Sequence, residues 1–253
     1  MAKSPQTNYF KRASTCEKFE KYLAYTLTGL TIVLTLFKID YLFLDILLGL
    51  GFVLIVILHR AADESKYNGE KIRRMDFIDR SFATKYIENG SEKYYDNDEI
   101  EYGFYKMVVN CFENSLFSSE ISKKMYEKKQ IKLLFISSAL MIFCILGLVN
   151  MKSAMAIIQL LLSGYFFLEY RDLKEYKDRT EQIFLDFKKL FDNGLVNKEE
   201  SIKKNMPEII RLYTVYETNI SDKKLSLDSQ IYEQLNDTLT QNWEKIKIKY
   251  EIK

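Results

Sequence analysis

The apolar positions of this chain are concentrated in four long stretches that occur as two pairs. They cover residues 22–39, 41–58, 133–151 and 153–168, and each is about 16–19 residues long. An α-helix needs about 20 predominantly apolar residues to cross the hydrocarbon core of a bilayer. The pattern therefore predicts four transmembrane helices.

Only short polar segments join the two members of each pair, residues 38–40 in the first and 150–152 in the second. Because short connections favour antiparallel neighbours, we predict two helical hairpins. A buried hairpin of a soluble protein is the alternative, but runs of this length seldom occur twice, as pairs, in a small soluble domain. We interpret the chain as an all-α membrane protein.

The distribution of basic residues predicts the orientation of the hairpins. Cytoplasmic flanks of membrane helices carry an excess of Lys and Arg. The two connections contain only Lys38 and Lys152. The opposite flanks contain many more basic residues: Lys11, Arg12, Lys18, Lys21, Arg60, Lys128, Lys129, Lys132, Arg171 and Lys174. We therefore expect both termini and the segment between the hairpins to be cytoplasmic.

This orientation divides the chain into five regions. We predict a cytoplasmic N-terminal segment (1–21), a first transmembrane hairpin (22–58), a cytoplasmic helical insertion (59–132), a second transmembrane hairpin (133–168) and a cytoplasmic C-terminal helical region (169–253). The first twenty residues are polar and lack the apolar region of a signal peptide, so we expect insertion through the first apolar helix.

The cytoplasmic insertion has helical periodicity on both sides of a loop. Residues 59–82 continue the second span, with Met75, Ile78 and Phe82 repeating at three and four residues. Residues 83–99 are rich in Gly, Asn, Asp and Ser and predict a loop. A second helix begins near Ile100, and its apolar stripe comprises Tyr102, Tyr105, Val109, Phe112 and Leu116. The two stripes are expected to pack together as a stalk.

The C-terminal region predicts three further helices. Residues 169–193 form the first, which ends at Gly194, and Pro207 opens a short second helix. The last helix has one apolar stripe: Leu227, Ile231, Leu235, Leu239, Trp243 and Ile246. That stripe needs a partner, either the stalk or another subunit.

Composition and motifs argue against most other classes of protein. The net charge is only +2 over 253 residues, which gives no basic bias towards DNA or RNA. The three cysteines are far apart in sequence, and His59 is the single histidine. Phosphate-binding loops, metal-ligand motifs and nucleophile–base pairs are absent. We therefore predict neither an enzyme nor a resident metal or cofactor.

One polar constellation precedes the loop. Asp76, Asp79 and Arg80 lie on a predicted helix, where Asp76 and Arg80 are separated by four residues and share a face. A solvated, salt-bridged helix surface is one interpretation. The other is a polar patch at the mouth of a ligand-binding pocket.

A second constellation follows the loop. Asn110, Glu113 and Asn114 are spaced by three and four residues and share a helical face. They predict either a buried network that joins the stalk helices or a set of hydrogen-bonding groups for a ligand. Tyr94 and Tyr95, in the loop, are candidates for stacking on a base or for covering the stalk.

Two polar residues lie inside the predicted spans. Asp45 is near the start of the second span, and Gln159 is in the fourth. Asp45 is either an interfacial acid that remains hydrated or, with Gln159, a pore-lining group in an oligomer.

The order of these elements resembles the SMODS-associating four-transmembrane effector family of bacterial defence systems. The resemblance covers nearly the full chain and is sharpest at residues 76–82 (DFIDRSF), 110–114 (NCFEN) and 123–126 (KKMY). Membership would imply an inner-membrane effector that acts beside a nucleotidyltransferase making cyclic oligonucleotides. Such a signal would alter the packing of the membrane helices, and an oligomer would breach the membrane of the infected cell.

Two other functions remain open from the residues alone. One is a non-enzymatic membrane scaffold or signalling partner that docks another protein through the stripe of the last helix. The other is a small channel or transporter component.

Overall fold

Helices account for all the regular structure that the computed structural model describes, namely residues 4–37, 41–88, 90, 97–145, 165–223 and 227–253. The chain is therefore all-α over this part. The helices are α1 (Thr7–Phe37), α2 (Leu42–Phe82), α3 (Phe104–Ile145), α4 (Tyr165–Asp192), α5 (Glu199–Lys223) and α6 (Ser229–Tyr250).

The chain divides into two compact units. The hairpin unit comprises Gln6–Gly69 and Lys129–Tyr170, and the core unit comprises Met1–Pro5, Glu70–Lys128 and Arg171–Lys253. The boundary between the units falls inside α2, after Gly69, and inside α3, after Lys128. Both helices continue through it without interruption.

One helix in the described residues, α2, is long and apolar enough to cross a membrane. Its best 18-residue window has a mean hydropathy of 2.6, and none of that window is buried. α1 does not, and Glu20 and Lys21 lower the mean hydropathy of its last 18 residues. Much of the predicted second hairpin, including the connection at 150–152, lies outside the described residues.

Within the hairpin unit, α1 and α2 pack side by side in opposite directions. A Cβ on Gly51 would lie only 2.6 Å from Leu27, and a Cβ on Gly69 would lie 3.2 Å from Phe10. The later residue of α2, Gly69, faces the earlier residue of α1, Phe10. The two helices are therefore antiparallel. The absence of a side chain at Gly51 and Gly69 is what permits this approach.

The core unit is organised around aromatic rings of α3, α4 and α6. Phe112 has no exposed surface, and its ring centroid lies 5.1 Å from that of Phe191 and 5.5 Å from those of Phe184 and Trp243. Phe77 contributes from α2 and stacks on Tyr213 of α5. Aromatic pairs of this kind add to the burial of apolar area in stabilising a core.

The stalk stripes predicted for α2 and α3 need correction at two positions. On α2 the fully buried residue is Phe77, whereas Ile78 and Phe82 are only partly buried. Tyr102 precedes α3 and is 60% exposed, because the helix begins at Phe104 rather than near Ile100. The remaining stripe positions, Tyr105, Val109, Phe112 and Leu116, are buried as predicted.

Pro207 lies inside α5 and does not open it, contrary to the prediction. The helix begins at Glu199, and Ile202, upstream of the proline, already packs against the core. Pro207 has no N–H to donate to the carbonyl of Lys203, which weakens the helix at that point. Packing of Ile202 on one side and Ile209 on the other compensates for this loss.

The stripe of α6 is buried within the chain itself. Ile231, Leu239 and Trp243 are buried, and Leu227, Leu235 and Ile246 are partly buried against core clusters. Of the two predicted partners, the stalk is therefore the one observed. The end of α4 also follows the prediction, since Gly194 has a φ of 85° just beyond the helix.

Candidate functional site

A layer of charged side chains connects the four helices of the hairpin unit. Lys21 of α1 and Lys129 of α3 both contact the Oε1 atom of Glu169 on α4, at 2.9 and 3.0 Å. His59 of α2 lies 3.3 Å from Glu20 of α1. Lys66 of α2 also pairs with Glu17 of α1. We call these seven residues, Glu17, Glu20, Lys21, His59, Lys66, Lys129 and Glu169, the polar collar.

The collar lies where the apolar stretches end. Lys21 and His59 directly flank the predicted spans 22–39 and 41–58, and Lys129 and Glu169 flank the spans 133–151 and 153–168. Lys21, Lys129 and Glu169 are distant in sequence, yet their side chains contact one another. His59 is joined to the same part of α1 through Glu20, the neighbour of Lys21 in sequence.

Charge coupling within the collar perturbs the pKa of Glu169. Burial raises the pKa of this carboxyl, but the hydrogen bond and the positive charge of Lys21, together with those of Lys129, hold it below its ordinary value. Glu169 is therefore ionised at neutral pH.

The pKa of Lys129 is also below its ordinary value. Burial lowers it, Glu169 opposes that effect, and repulsion from Lys21 and Lys132 lowers it further. Glu169 thus favours the charged form of Lys129, whereas the charges of Lys21 and Lys132 oppose it.

A buried hydrogen-bond network in the core unit is centred on Asn97. Its Nδ2 donates to Oε2 of Glu113 at 2.7 Å and to Oδ1 of Asn110 at 3.0 Å. Its Oδ1 accepts from Nε1 of Trp243 at 3.3 Å. Asn110 donates in turn to Oγ of Ser81 at 3.5 Å. The end of the loop is thereby connected to α2, α3 and α6.

Asp79 holds the beginning of the same loop. Its carboxylate accepts from the hydroxyl of Thr84 at 2.6 Å and from the backbone amides of Tyr86 and Ile87, both at 2.9 Å. Burial raises the pKa of Asp79, but these three donors keep it below its ordinary value. A Cβ on Gly90 would also approach Oδ1 of Asp76 at 3.2 Å.

The structure brings several of the predicted ligand-binding residues close to the loop. Asp76, Asn110 and Glu113 are buried, and Asp79, Arg80 and Asn114 are half-buried. Asp79, Asn110 and Glu113 use hydrogen bonds to hold the loop or its neighbours. Tyr94 and Tyr95 lie outside the described residues. A ligand at these groups would have to exchange partners with the loop.

Of the two predicted pore-lining residues, the structure describes only Asp45. Asp45 is exposed and lies in the first turn of α2, where the helix dipole favours a negative charge. This position agrees with an interfacial acid. Gln159 lies outside the described residues.

Arg73 connects α2 to α5 within the core unit. It donates to Glu217 at 2.7 Å and to Glu70 at 2.8 Å. Burial lowers the pKa of Arg73, but Glu217, Tyr216 and Glu70 raise it well above the ordinary value. The segment around Arg73 therefore forms a salt-bridged surface between helices.

Sequence reasoning missed Asn97 and Trp243 as members of the polar network. It treated Lys21 only as a flanking charge and gave Glu169 no role. Asn97 lies in a run of loop-forming residues, where an Asn carries no periodic signal. An unusually polar α3 face at Asn110 and Glu113 was the available clue, because buried polar groups need partners.

Comparisons with known protein families, curated proteins and solved structures found no match for this chain. The resemblance to the four-transmembrane effector family therefore remains a prediction. Among the described residues, no group of three or more His, Cys, Asp and Glu side chains is arranged to hold a metal ion.

Proposed function

We propose that this chain is a multi-pass protein of a bacterial inner membrane, with both hairpins spanning the bilayer and both termini in the cytoplasm. The observation that carries the proposal is the polar collar: polar residues that flank the four apolar stretches are joined through α1, Lys21 to Glu169 and Glu20 to His59. Such a layer fits the boundary between hydrocarbon and water.

The exposed surface of the hairpin unit supports this placement. Large apolar side chains along the first half of α2 are mostly exposed, among them Phe43, Leu50, Phe52 and Ile57 at 57–72%. A patch of this extent is unusual for a monomer in water and is typical of a surface that meets lipid. On α3, Ile131, Leu134 and Phe135 are 72–77% exposed just beyond Lys129.

The polar groups of α1 are also compatible with hydrocarbon. The hydroxyls of Thr26 and Thr31 donate to the carbonyls of Tyr22 and Leu27, four residues earlier, at 2.9 Å. Because a hydroxyl that bonds to its own helix needs no water, its transfer into lipid costs less.

Protease accessibility in inverted and right-side-out membrane vesicles tests the topology. Tags placed at either terminus should be cut only when the cytoplasmic face is exposed. Tags that face opposite sides would show an odd number of spans and contradict the proposal.

We further propose that the protein is an effector of an anti-phage, nucleotide-signalling defence system that permeabilises the membrane as a homo-oligomer. The supporting observations are the family resemblance and the continuity of α2 and α3, which each carry residues of both units. A ligand that rearranges the loop near Asp79 and Asn97 would act on the same helices that enter the bilayer.

Dye entry during infection tests this activity. Cells that express the chain with its neighbouring genes should admit a membrane-impermeant dye soon after phage addition, and a variant with Glu113→Gln should do so less. Membranes that remain intact while the phage is still blocked would contradict the effector proposal. Crosslinking of the full chain in membranes should recover self-oligomers.

A cyclic oligonucleotide is the ligand class implied by the resemblance. Thermal unfolding of the purified chain with a panel of cyclic di- and trinucleotides measures its binding. One member should raise the unfolding temperature of the native chain but not of Asn110→Ala. A shift that is equal in both proteins would place the ligand elsewhere.

A further inference from the structure

Asn219, on α5 in the core unit, is a buried amide that lacks a protein partner. Only 2% of its surface is exposed, and neither its Nδ2 nor its Oδ1 forms a hydrogen bond within the part of the chain that the structure describes. An unpaired buried polar group costs about 1–3 kcal/mol. Because native interiors seldom retain such groups, we expect the partner of this amide to be a group outside the protein.

The contacts of α5 turn Asn219 towards the interior, where α3 and α4 lie. Asn219 follows the buried Tyr216 by three residues and the buried Leu212 by seven, so it shares their face of the helix. The neighbouring contacts on either side of Asn219 reach the other two helices, as follows.

Glu217, two residues before Asn219, lies close enough to Cys111 of α3 for an electrostatic interaction. Asp222, three residues after Asn219, lies 3.5 Å from Arg179 of α4. Asn219 is therefore located between a contact with α3 and a contact with α4.

α3 carries small hydroxyl side chains along the same stretch. Ser115, Ser118 and Ser122 are spaced by three and four residues, which places them on one helix face, and all three are buried. Cys111, four residues before Ser115, extends this face towards α5. We call Ser115, Ser118 and Ser122 the serine stripe. Its side chains leave more room between helices than the aromatic residues of α3 do, and an internal water needs such room.

The hydroxyls at this contact offer acceptors to a further partner. Ser115 and Ser122 donate to the backbone carbonyls three residues before them, at 2.7 and 3.0 Å. Thr180 of α4, whose Oγ1 lies 3.3 Å from Oγ of Ser122, donates to the carbonyl four residues before it at 2.8 Å. Since a hydroxyl has one proton, these oxygens retain only lone pairs.

The chemistry of the two sides fits a water molecule. Asn219 offers two N–H donors and one carbonyl acceptor, whereas the hydroxyls offer acceptors. A bridging molecule must therefore donate as well as accept. Water does both, and an internal water typically forms about three hydrogen bonds. A carboxylate or phosphate that only accepts would leave the serine oxygens without a donor.

We propose that Asn219 and the serine stripe bind an internal water molecule that joins α5 to α3. Exchange of this water with solvent requires α5 to move away from α3, so the water is a long-lived part of the core. The inference concerns the core unit alone and does not depend on the proposed membrane placement.

Magnetic relaxation dispersion of the solvent, with the full chain in nonionic micelles, counts long-lived internal waters. Asn219→Leu should remove about one of them, because leucine lacks the groups that hold the water. The matched control, Asn193→Leu at an exposed position, should keep the count of the native chain. Equal counts in the native chain and Asn219→Leu would overturn the proposal.

A crystal structure of the native chain keeps the test decisive where Asn219→Leu does not fold. Ordered solvent density should lie about 2.7–3.2 Å from the Asn219 amide and from a hydroxyl oxygen of the serine stripe. A direct hydrogen bond between this amide and a protein group, or the lack of ordered density beside it, would overturn the proposal.

Discussion

Asn97 hydrogen-bonds to three buried side chains of the core unit. Its side chain contacts Asn110, Glu113 and Trp243, and none of its own surface is exposed. Because these groups are buried, each hydrogen bond lost with Asn97 is not replaced by water at no cost. A single polar side chain thus couples the loop to α3 and α6.

Asn97→Ala should therefore destabilise the core unit by about 3 kcal/mol, since it leaves buried groups of Glu113 and Trp243 without this partner. Urea unfolding in detergent micelles, followed by the fluorescence of Trp243, measures the change. The control is Asn193→Ala at an exposed position, which should cost less than about 0.5 kcal/mol. Equal losses in the two variants would contradict the role of the network.

Asp79 supplies a pH-dependent part of the loop's stability. Its folded-state pKa is below the ordinary value of 3.8, so its contribution is fully present above that value. The contribution is lost as the pH falls through the folded-state pKa, because the unfolded chain takes up the proton first.

Asp79→Asn should lower the free energy of unfolding by about 1 kcal/mol at pH 7, and the difference from the native chain should shrink below pH 3.8. Unfolding curves at neutral and acidic pH measure this. Asp237→Asn, at an exposed position of α6, should show no such pH-dependent difference. A difference that is constant with pH would rule out the carboxylate as its source.

At the scale of the helices, close packing of α1 on the apolar part of α2 depends on one of two neighbouring glycines. Gly51 and Gly49 are neighbours in the same apolar segment, yet only Gly51 faces Leu27. A Cβ on Gly49 would meet nothing within 4 Å. The contrast distinguishes the face of α2 that packs on α1 from the open face, which the proposed placement turns towards lipid.

Gly51→Leu should separate α1 from α2 and lower the thermal stability of the hairpin unit, whereas Gly49→Leu should leave it unchanged. An overpacked contact of this kind costs about 1–3 kcal/mol. Disulfide crosslinking between cysteines introduced at Ala24 and at the half-buried Ile55, one turn from Leu27 and Gly51 on the packed faces, reports the separation directly. Reduced crosslinking in both variants would show that the packing face has been assigned wrongly.

The helices themselves could be predicted from sequence more completely than their partners. The period of Tyr105, Val109, Phe112 and Leu116 is local and predicts one face of α3. The Lys21–Glu169 contact spans 148 residues, and no local pattern relates such positions. Pro207 shows the converse, since a local rule predicted a helix start that packing of Ile202 and Ile209 overrides.

At the scale of the whole chain, the exposed apolar side chains of the two units differ in their sequence surroundings. Leu50 and Val53 belong to a continuous apolar segment of α2 and are 62% and 57% exposed. Ile210 and Ile248 of the core unit are 51% and 77% exposed, but they are surrounded by polar positions in sequence. Only the first pair should matter for membrane insertion.

Leu50→Arg combined with Val53→Arg should greatly reduce the fraction of protein that resists carbonate extraction, since each arginine costs about 3 kcal/mol near the centre of a span. Ile210→Arg combined with Ile248→Arg is the control and should leave that fraction unchanged. Full retention of the α2 double variant in the membrane would contradict the assignment of α2 as a span.

The contact between Lys21 and Glu169 has a consequence for biosynthesis. During translation, Lys21 leaves the ribosome long before Glu169, so in the proposed topology the first hairpin would insert without this carboxylate beside its lysine. The positive charge would help to retain that end in the cytoplasm during this interval. The arrival of Glu169 would then join α1, α3 and α4, so that assembly of the second hairpin follows commitment of the first.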